Sequence, residues 1–180
     1  MNPSSYRIAA SLARRVSELV GIPLHNNERV VFEDLQLLRY EVTQHYHIHH
    51  DWFDPKQFAG FVGADGRNRY ITVLFYLNDV EEGGATTFPM AGDPSPLMSY
   101  TDCKRGMQVY PKEGRVVIFY SLHPELQTQG GTDEASWHAG CDVLKGTKWA
   151  ANFWITMKGV HPKDGGEQKK VVQEEREHVI

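Results

Sequence analysis

The run from Arg69 to Leu77 constrains the fold more than any other part of the chain. Its sequence, RYITVLFYL, consists almost entirely of aromatic, β-branched and other apolar residues, which favour extended backbone. A run this continuous predicts a strand that is buried on both faces. The sequence therefore predicts a packed domain in which this segment is an internal strand.

Shorter β-forming runs with turn residues between them predict further strands, at Leu35–Val42, Met107–Tyr110, Arg115–Ser121 and Trp149–Thr156. The histidine-rich segment that follows Val42 reads as a continuation of the first of these strands. Before them, Ser4 or Ser5 caps a helix that continues to about Val20, with apolar residues at helical spacing, and Gly21 ends it. One helix followed by many short strands predicts a mainly β sandwich or barrel with a flanking helix.

The length and composition limit the classes of function. The chain has 180 residues, of which 41% are hydrophobic, so it is long enough for one domain with a real core. Its formal net charge of -4 comes without a basic block, which argues against nucleic acid as a partner. It contains no apolar run of membrane-spanning length and no secretory signal at its start. Two cysteines, Cys103 and Cys141, either pair once or stay free.

The composition becomes mostly charged and polar near the end of the chain. We therefore assign residues 1–160 to one catalytic domain and residues 161–180 to a polar C-terminal tail.

The segment from His45 to Asp51 carries four histidines and one aspartate, at 45, 47, 49, 50 and 51. Imidazole and carboxylate groups at close spacing are typical of metal sites. Residues i and i+2 of an extended chain point to the same face, so His49 and Asp51 lie side by side. A solvated histidine-rich loop, or a zinc site built from His45, His47 or His50, is the alternative interpretation.

A non-haem iron(II) oxygenase site needs a second imidazole beside one histidine and one carboxylate. The candidates downstream are His123, His138 and His161; we discount His161 because it lies beside Pro162 in the polar tail. His138 comes just before the last strand, and Lys148 follows it by ten residues. A lone lysine at this strand suits an anion. The order His-x-Asp, distant His and then Lys is far more specific than any of these residues alone.

Five motifs carry a resemblance to a known family, over about residues 35 to 154. They are Leu37-Leu38-Arg39-Tyr40-Glu41, Tyr46-x-x-His49-x-Asp51, Arg69-x-x-Thr72-x-Leu74-x-Tyr76-Leu77, Gly83-Gly84-x-Thr86-x-Phe88-Pro89 and His138-x-x-Cys141-x-Val143-x-x-Gly146-x-Lys148-Trp149. In order and spacing they resemble the prolyl 4-hydroxylases, which are Fe(II)- and 2-oxoglutarate-dependent dioxygenases. The stretches His45–His47, Arg69–Asn78 and Gly146–Ile155 are most similar to the transmembrane form of the endoplasmic reticulum.

The resemblance implies a fold, a chemistry and a set of residues. The fold is a double-stranded β-helix, or jelly roll, with helices on one side. His49, Asp51 and His138 hold the iron, and Lys148 pairs with the distal carboxylate of 2-oxoglutarate. Tyr40 and Thr86 line the co-substrate pocket, whereas Tyr46, Arg69 and Trp154 lie near the substrate proline. The reaction consumes O2 and 2-oxoglutarate, gives succinate and a proline hydroxylated at C4 of a polypeptide substrate, and uses L-ascorbate to rescue oxidised iron.

The chain departs from the family at three points. Asp142 stands where the family usually has proline after the cysteine, and His45, His47 and His50 add imidazoles beside the site. The chain also begins at the helix, so we expect the first strands of the family, and any membrane anchor, to lie upstream in a longer protein. Two alternatives to a peptidyl-proline 4-hydroxylase stay open. One is the same chemistry on another residue or a small molecule, and the other is an inactive metal- or partner-binding module.

Overall fold

The structure is a computed structural model that describes residues 3–24, 29–62, 65–92, 103–123 and 132–158. The helix α1 spans Pro3–Val20, and the short helix α2 spans Ala59–Val62. A single 3₁₀ turn at Glu134–Ser136 precedes β9 within the described residues. The strands are β1 Val30–Phe32, β2 Gln36–Tyr40, β3 Tyr46–His49, β4 Asn68–Tyr76, β5 Glu82–Gly83, β6 Thr86–Phe88, β7 Met107–Val109, β8 Val116–Tyr120, β9 His138–Gly140, β10 Val143–Lys145 and β11 Lys148–Met157.

The larger sheet is built around the two longest strands, β4 and β11. Its order is β1-β11-β4-β8, and β2 pairs with the first half of β11 on the same side as β1. All of these pairs are antiparallel. Because β4 lies between β11 and β8 and most of its residues are buried, the prediction of an internal strand is confirmed.

The smaller sheet has the order β3-β9-β6-β7 and is also antiparallel, while β5 and β10 form a separate pair. Side chains of the two sheets contact each other. The Tyr76 hydroxyl of β4 is hydrogen-bonded with the Thr86 hydroxyl of β6 at 2.7 Å. Two antiparallel sheets with a helix on one side confirm the prediction of a mainly β, jelly-roll fold with a flanking helix.

The main core lies between α1 and the outer face of the larger sheet. Val16 of α1 packs there with apolar residues of β4 and β11, namely Ile71, Val73, Phe153 and Ile155. Each fully buried side chain of this size contributes about 1.5–3 kcal/mol. A smaller cluster on the opposite face contains Leu74, Tyr76 and Ala150. The helix predicted to reach Val20 is therefore present, and Ala13, Val16 and Val20 pack it against the sheet, whereas Ile8 and Leu19 are exposed.

The histidine-rich segment does not continue the preceding strand, so that prediction was wrong. β2 ends at Tyr40 in the larger sheet, whereas β3 starts at Tyr46 in the smaller one. Between them the chain turns at Thr43, which has a φ of 71°. The amide of Thr43 donates to the carbonyl oxygen of Val143 at 2.8 Å. The turn therefore moves the histidines from one sheet to the other.

Two predictions lie outside the described residues, namely the polar tail and the candidate ligand His161 within it. Residues 161–180, which we assigned to a polar tail, lie there, so the domain boundary at 160 stays a prediction. In the described part of the chain, no helix is both long and apolar enough to cross a membrane.

Candidate metal centre

Two neighbouring strands of the smaller sheet bring the predicted triad together. His49 of β3 is paired in register with His138 of β9, and Asp51 follows β3 by two residues. Nε2 of His49 lies 3.6 Å from Oδ1 of Asp51, and Nε2 of His138 lies 3.9 Å from Oδ2. One ligand atom from each residue lies within 4.8 Å of the others, and no other such group of three occurs among the described residues.

Both histidines are oriented through their other ring nitrogen. Nδ1 of His49 lies 2.8 Å from the carbonyl oxygen of His47, and Nδ1 of His138 lies 2.9 Å from that of Ser136. Because a carbonyl oxygen only accepts, each Nδ1 carries the proton and donates it. Each Nε2 then keeps a free lone pair toward Asp51. Burial lowers the pKa of His138 to about 4, so its imidazole is neutral at pH 7, which is the form that binds metal.

The carboxylate of Asp51 is held by two residues of the larger sheet. Its Oδ2 accepts from the hydroxyl of Thr72 at 2.5 Å and from the indole N–H of Trp154 at 3.1 Å. Thr72 and Trp154 are cross-strand partners on β4 and β11. Burial of Asp51, which is 5% exposed, raises its pKa, but the neighbouring imidazoles of His49 and His138 and the hydrogen bond from Thr72 outweigh burial and lower it. The carboxylate therefore stays ionised with Oδ2 fixed and Oδ1 toward His49.

Lys148 is a buried cation at the start of β11. Its side chain is 3% exposed, and its Nζ donates to the carbonyl oxygen of Gly84 at 2.7 Å. Among the described residues, no carboxylate lies within ion-pair distance of this nitrogen. Burial lowers its pKa to about 8. An ammonium group buried without a counter-ion is costly, so the site suits an anionic group supplied by a ligand.

Of the two residues predicted to line the co-substrate pocket, Tyr40 lies beside this lysine, and Thr86 contacts Tyr76, whose ring also lies beside it. The ring of Tyr40, its partner in register across β2 and β11, is centred 5.5 Å from Nζ, and the ring of Tyr76 is centred 5.4 Å from it. The hydroxyl of Tyr76 is hydrogen-bonded with that of Thr86 and donates to the carbonyl oxygen of Val109. Burial raises the pKa of Tyr76 to about 12, so its hydroxyl stays protonated.

Tyr76 was not predicted from the sequence as a site residue, although its motif was recognised. The alternation of β4 turns Thr72, Leu74 and Tyr76 to one face. That face is the signal that would have identified it.

The three residues predicted to meet the substrate have different surroundings. Tyr46 is exposed, and its ring lies edge-on to that of His49 with centroids 4.5 Å apart. Trp154 is buried, and its indole N–H is directed at Asp51. The guanidinium carbon of Arg69 lies 3.4 Å above the Trp154 ring centroid, and its nitrogens pair with Glu33. Neither Glu33 nor Thr72 was predicted from the sequence as a site residue.

The remaining histidines among the described residues are not members of the triad, although His47 and His50 are its neighbours in sequence. Nδ1 of His45 pairs with Asp142 at 2.8 Å, and the ring of His47 lies edge-on to that of His45. His50 lies against Trp137, and Nε2 of His123 lies 3.8 Å from Asp133. The zinc site proposed from His45, His47 or His50 is thus not formed as a group of three.

Cys103 and Cys141 form a disulfide, which resolves the question that the sequence left open. Cys141 directly follows β9, the strand that carries His138, and its amide donates to the carbonyl oxygen of Ala85 at 2.8 Å. The disulfide therefore joins the strand of the second histidine to the segment that leads into β7.

Two imidazoles and one ionised carboxylate that converge from one side form the donor set of a facial-triad iron(II) site. The free Nε2 lone pairs and the fixed Asp51 carboxylate fit such an ion. The family model of the 2OG-Fe(II) oxygenase superfamily matches residues 35–156, and the chain belongs to this superfamily.

Within this superfamily, the chain is similar to prolyl 4-hydroxylases. Probable prolyl 4-hydroxylase 8 and prolyl 4-hydroxylase 1, both from Arabidopsis thaliana, are each 37% identical to the chain. Their alignments cover 86% of this chain but 51% and 50% of the relatives. The chain thus spans about half the length of these curated relatives. The resemblance to the prolyl 4-hydroxylase family is confirmed, whereas the likeness to its transmembrane form stays a prediction.

Solved structures agree with the fold. The collagen prolyl hydroxylase of Paramecium bursaria Chlorella virus-1, in its 2OG complex, has a TM-score of 0.63 at 26% identity, over 87% of this chain and 76% of that one. A prolyl 4-hydroxylase from Pseudomonas putida has a TM-score of 0.52 at 18% identity, over 91% of this chain and 73% of that one, and supports the fold alone.

Proposed function

We propose that the chain is the catalytic domain of an Fe(II)- and 2-oxoglutarate-dependent dioxygenase that hydroxylates proline residues of a polypeptide at C4. The observation that carries this proposal is the convergence of His49, Asp51 and His138 in one fold with the buried Lys148, which has no carboxylate partner in the described part of the chain. The similarity to named prolyl 4-hydroxylases supports proline as the residue that is modified.

His49, Asp51 and His138 would hold the iron, with Nε2 of each imidazole and Oδ1 of the aspartate as donor atoms. Thr72 and Trp154 keep Oδ2 of Asp51 in hydrogen bonds, which prevents the carboxylate from rotating. When bound, iron and 2-oxoglutarate supply the activation of O2, with loss of CO2 and formation of succinate. The protein supplies orientation of both groups and exclusion of water.

Lys148 would hold the distal carboxylate of 2-oxoglutarate. Its burial makes an ion pair there stronger than in water, because little solvent screens the charges. Tyr40 and Tyr76 enclose the ammonium group with their rings, and the Tyr76–Thr86 hydrogen bond ties the pocket to the smaller sheet. The anion is thereby recognised by one cation at a fixed position.

Tyr46, Arg69 and Trp154 are the residues we propose for the substrate side. Tyr46 is the exposed member, and its ring contacts His49, so it suits a direct contact with the bound proline. Arg69 and Trp154 form a stack beside Asp51 and would shape the wall of the proline site.

A mass-spectrometric screen tests the proposed reaction. The protein is incubated with proline-rich and hypoxia-factor-like peptides, Fe(II), 2-oxoglutarate and ascorbate, and His138→Ala is the control. We expect the wild-type protein to add the mass of one oxygen atom to a proline of the peptide and to produce succinate. The His138→Ala variant should do neither. Consumption of 2-oxoglutarate without a gain on any prolyl peptide would overturn proline as the substrate and favour another residue or a small molecule. Absence of both would indicate an inactive binding module.

We further propose that ascorbate sustains turnover and that the protein works in the endoplasmic reticulum. The Cys103–Cys141 disulfide supports this compartment, since disulfides persist in oxidising environments. We expect prolonged turnover to require ascorbate and the tagged protein to co-fractionate with reticulum membranes in eukaryotic cells. Turnover that is indifferent to ascorbate, or a tagged protein found with cytosolic markers, would contradict the respective proposal.

A further inference from the structure

Glu33 is linked to Trp154, the tryptophan that holds the carboxylate of Asp51, by one direct contact and by one contact through Arg69. Its backbone N–H donates to the carbonyl oxygen of Trp154 at 2.9 Å. Its side chain accepts two hydrogen bonds from Arg69, from Nε to Oε1 and from Nη2 to Oε2, both 3.0 Å long. A carboxylate and a guanidinium joined in this way are fixed in one plane.

The fixed guanidinium lies directly on the indole ring. The Arg69 guanidinium carbon lies 3.4 Å from the centroid of Trp154 and 5.0 Å from that of Phe53, so the cation contacts both rings. Phe53 is itself held by Asn68, whose amide group makes two hydrogen bonds to its backbone. The guanidinium plane therefore restricts the rotation of the Trp154 ring.

The orientation of that ring decides where its single donor points. The indole N–H of Trp154 reaches Oδ2 of Asp51 at 3.1 Å, and an indole has no other polar group. A rotated ring would leave Oδ2 with Thr72 as its remaining side-chain donor among the described residues. We propose that Glu33 is a positioning residue of the metal centre: it fixes Arg69, which fixes Trp154, which fixes the carboxylate of Asp51. This inference rests on the iron site proposed above.

A second set of glutamate, arginine and tryptophan occurs in the chain, and in the described part of the chain its tryptophan has no hydrogen bond to a metal-binding residue. Glu41 pairs with Arg39 through one contact of 2.7 Å, and Arg39 lies 5.6 Å from the ring centroid of Trp149. The side chains of Arg39 and Glu41 are 53% and 56% exposed, whereas those of Arg69 and Glu33 are 18% and 29% exposed. Exposed pairs contribute little, so Glu41→Gln is a matched control for Glu33→Gln.

The test measures Fe(II) affinity under anaerobic conditions by calorimetry, so it does not depend on turnover. We expect Glu33→Gln to weaken iron binding about three- to tenfold, below the 10–100-fold typical of residues that contact a ligand directly. Glu41→Gln should bind iron like the wild-type protein. The visible absorption of the Fe(II)–2-oxoglutarate complex should shift in Glu33→Gln alone, because the ligand field at the aspartate changes.

A double-mutant cycle shows whether Glu33 acts through Trp154. Trp154→Phe keeps an aromatic ring at this position but removes the N–H donor, so Glu33→Gln should add no further loss of iron affinity in that background. Independent, additive losses would overturn the inference, and so would a loss confined to the KM for peptide with iron affinity unchanged. If Glu33→Gln does not fold, Glu33→Asp and Arg69→Lys enter the same cycle. A wild-type protein that binds no iron would overturn both the metal centre and this inference. If the wild-type protein binds iron and Glu33→Gln binds it with the same affinity, only the inference is overturned.

Discussion

Nζ of Lys148 donates to the carbonyl oxygen of Gly84 at 2.7 Å and has no carboxylate partner among the described residues. Gly84 lies two residues before Thr86 on the smaller sheet, while Lys148 begins the central strand of the larger one. The buried ammonium thus links the two sheets and keeps further N–H groups for a bound anion.

Replacing Lys148 with alanine should raise the requirement for 2-oxoglutarate more than it lowers the rate at saturation. Loss of one partner of a desolvated charge pair costs about 2–5 kcal/mol. The measurement is the KM and kcat for 2-oxoglutarate at fixed peptide concentration. Lys145→Ala is the matched control, since Lys145 is exposed and paired with Glu81. An unchanged affinity in Lys148→Ala would refute the assigned role.

The binding of 2-oxoglutarate should weaken as the pH rises through about 8. Burial lowers the pKa of Lys148 to about 8, so the ammonium form prevails below that pH and the neutral amine above it. An anion needs the ammonium form, and the affinity should therefore be full at neutral pH and decline on the alkaline side. A titration of affinity against pH checks this prediction, with Lys148→Arg as comparison. The arginine stays charged, and its profile should be flat over the same range.

Replacing His138 with alanine should abolish stoichiometric Fe(II) binding and turnover together. His138 supplies one of three converging donors, and two donors rarely hold iron in place. Metal content per chain and succinate production are the two measurements. His123→Ala should behave like the wild-type protein, because His123 is exposed beside Asp133 and is not one of the three converging residues. Loss of iron in His123→Ala as well would argue for a different site.

The helix and the long strands could be predicted because their pattern is local. The continuous apolar run of β4 and the spacing of apolar residues in α1 each identify an element without its neighbours. The turn at Thr43 could not be predicted from the local sequence pattern. The left-handed backbone of this residue starts the turn that moves the histidines from the larger sheet to the smaller one, and a β-branched residue gives no signal for such a turn.

The triad could be predicted because its residue types are specific, whereas the residues that orient it could not. Thr72 lies 21 positions from Asp51 in sequence, and Trp154 lies 103 positions from it. Threonine on an apolar strand reads as an ordinary core residue, and Trp154 was predicted only as a residue near the substrate. Only the register between β4 and β11 brings both to one carboxylate. Glu33 was missed for the same reason, since its partners come from β4 and β11.

Replacing Thr72 with valine should lower iron affinity by about tenfold while the fold is kept. Valine has nearly the same shape, but it removes the hydroxyl that donates to Oδ2 of Asp51. The comparison is Thr87→Val, because Thr87 is equally buried and donates to the carbonyl oxygen of Arg105, away from the triad. Both variants should lose some stability in urea unfolding, but only Thr72→Val should lose iron affinity. Equal iron affinities would show that Trp154 alone suffices to hold the carboxylate.

Reducing the Cys103–Cys141 disulfide should destabilise the domain that carries His138. The bond closes a loop with a sequence separation of 38, and loops of this size correspond to about 2–4 kcal/mol of unfolding free energy. The measurement is urea unfolding of the wild-type protein with and without dithiothreitol. The variant Cys103→Ser should have the same unfolding free energy as the reduced protein, with or without dithiothreitol. Because Cys141 directly follows β9, iron affinity should fall with reduction, and an unfolding curve unaffected by dithiothreitol would contradict a stabilising role for the bond.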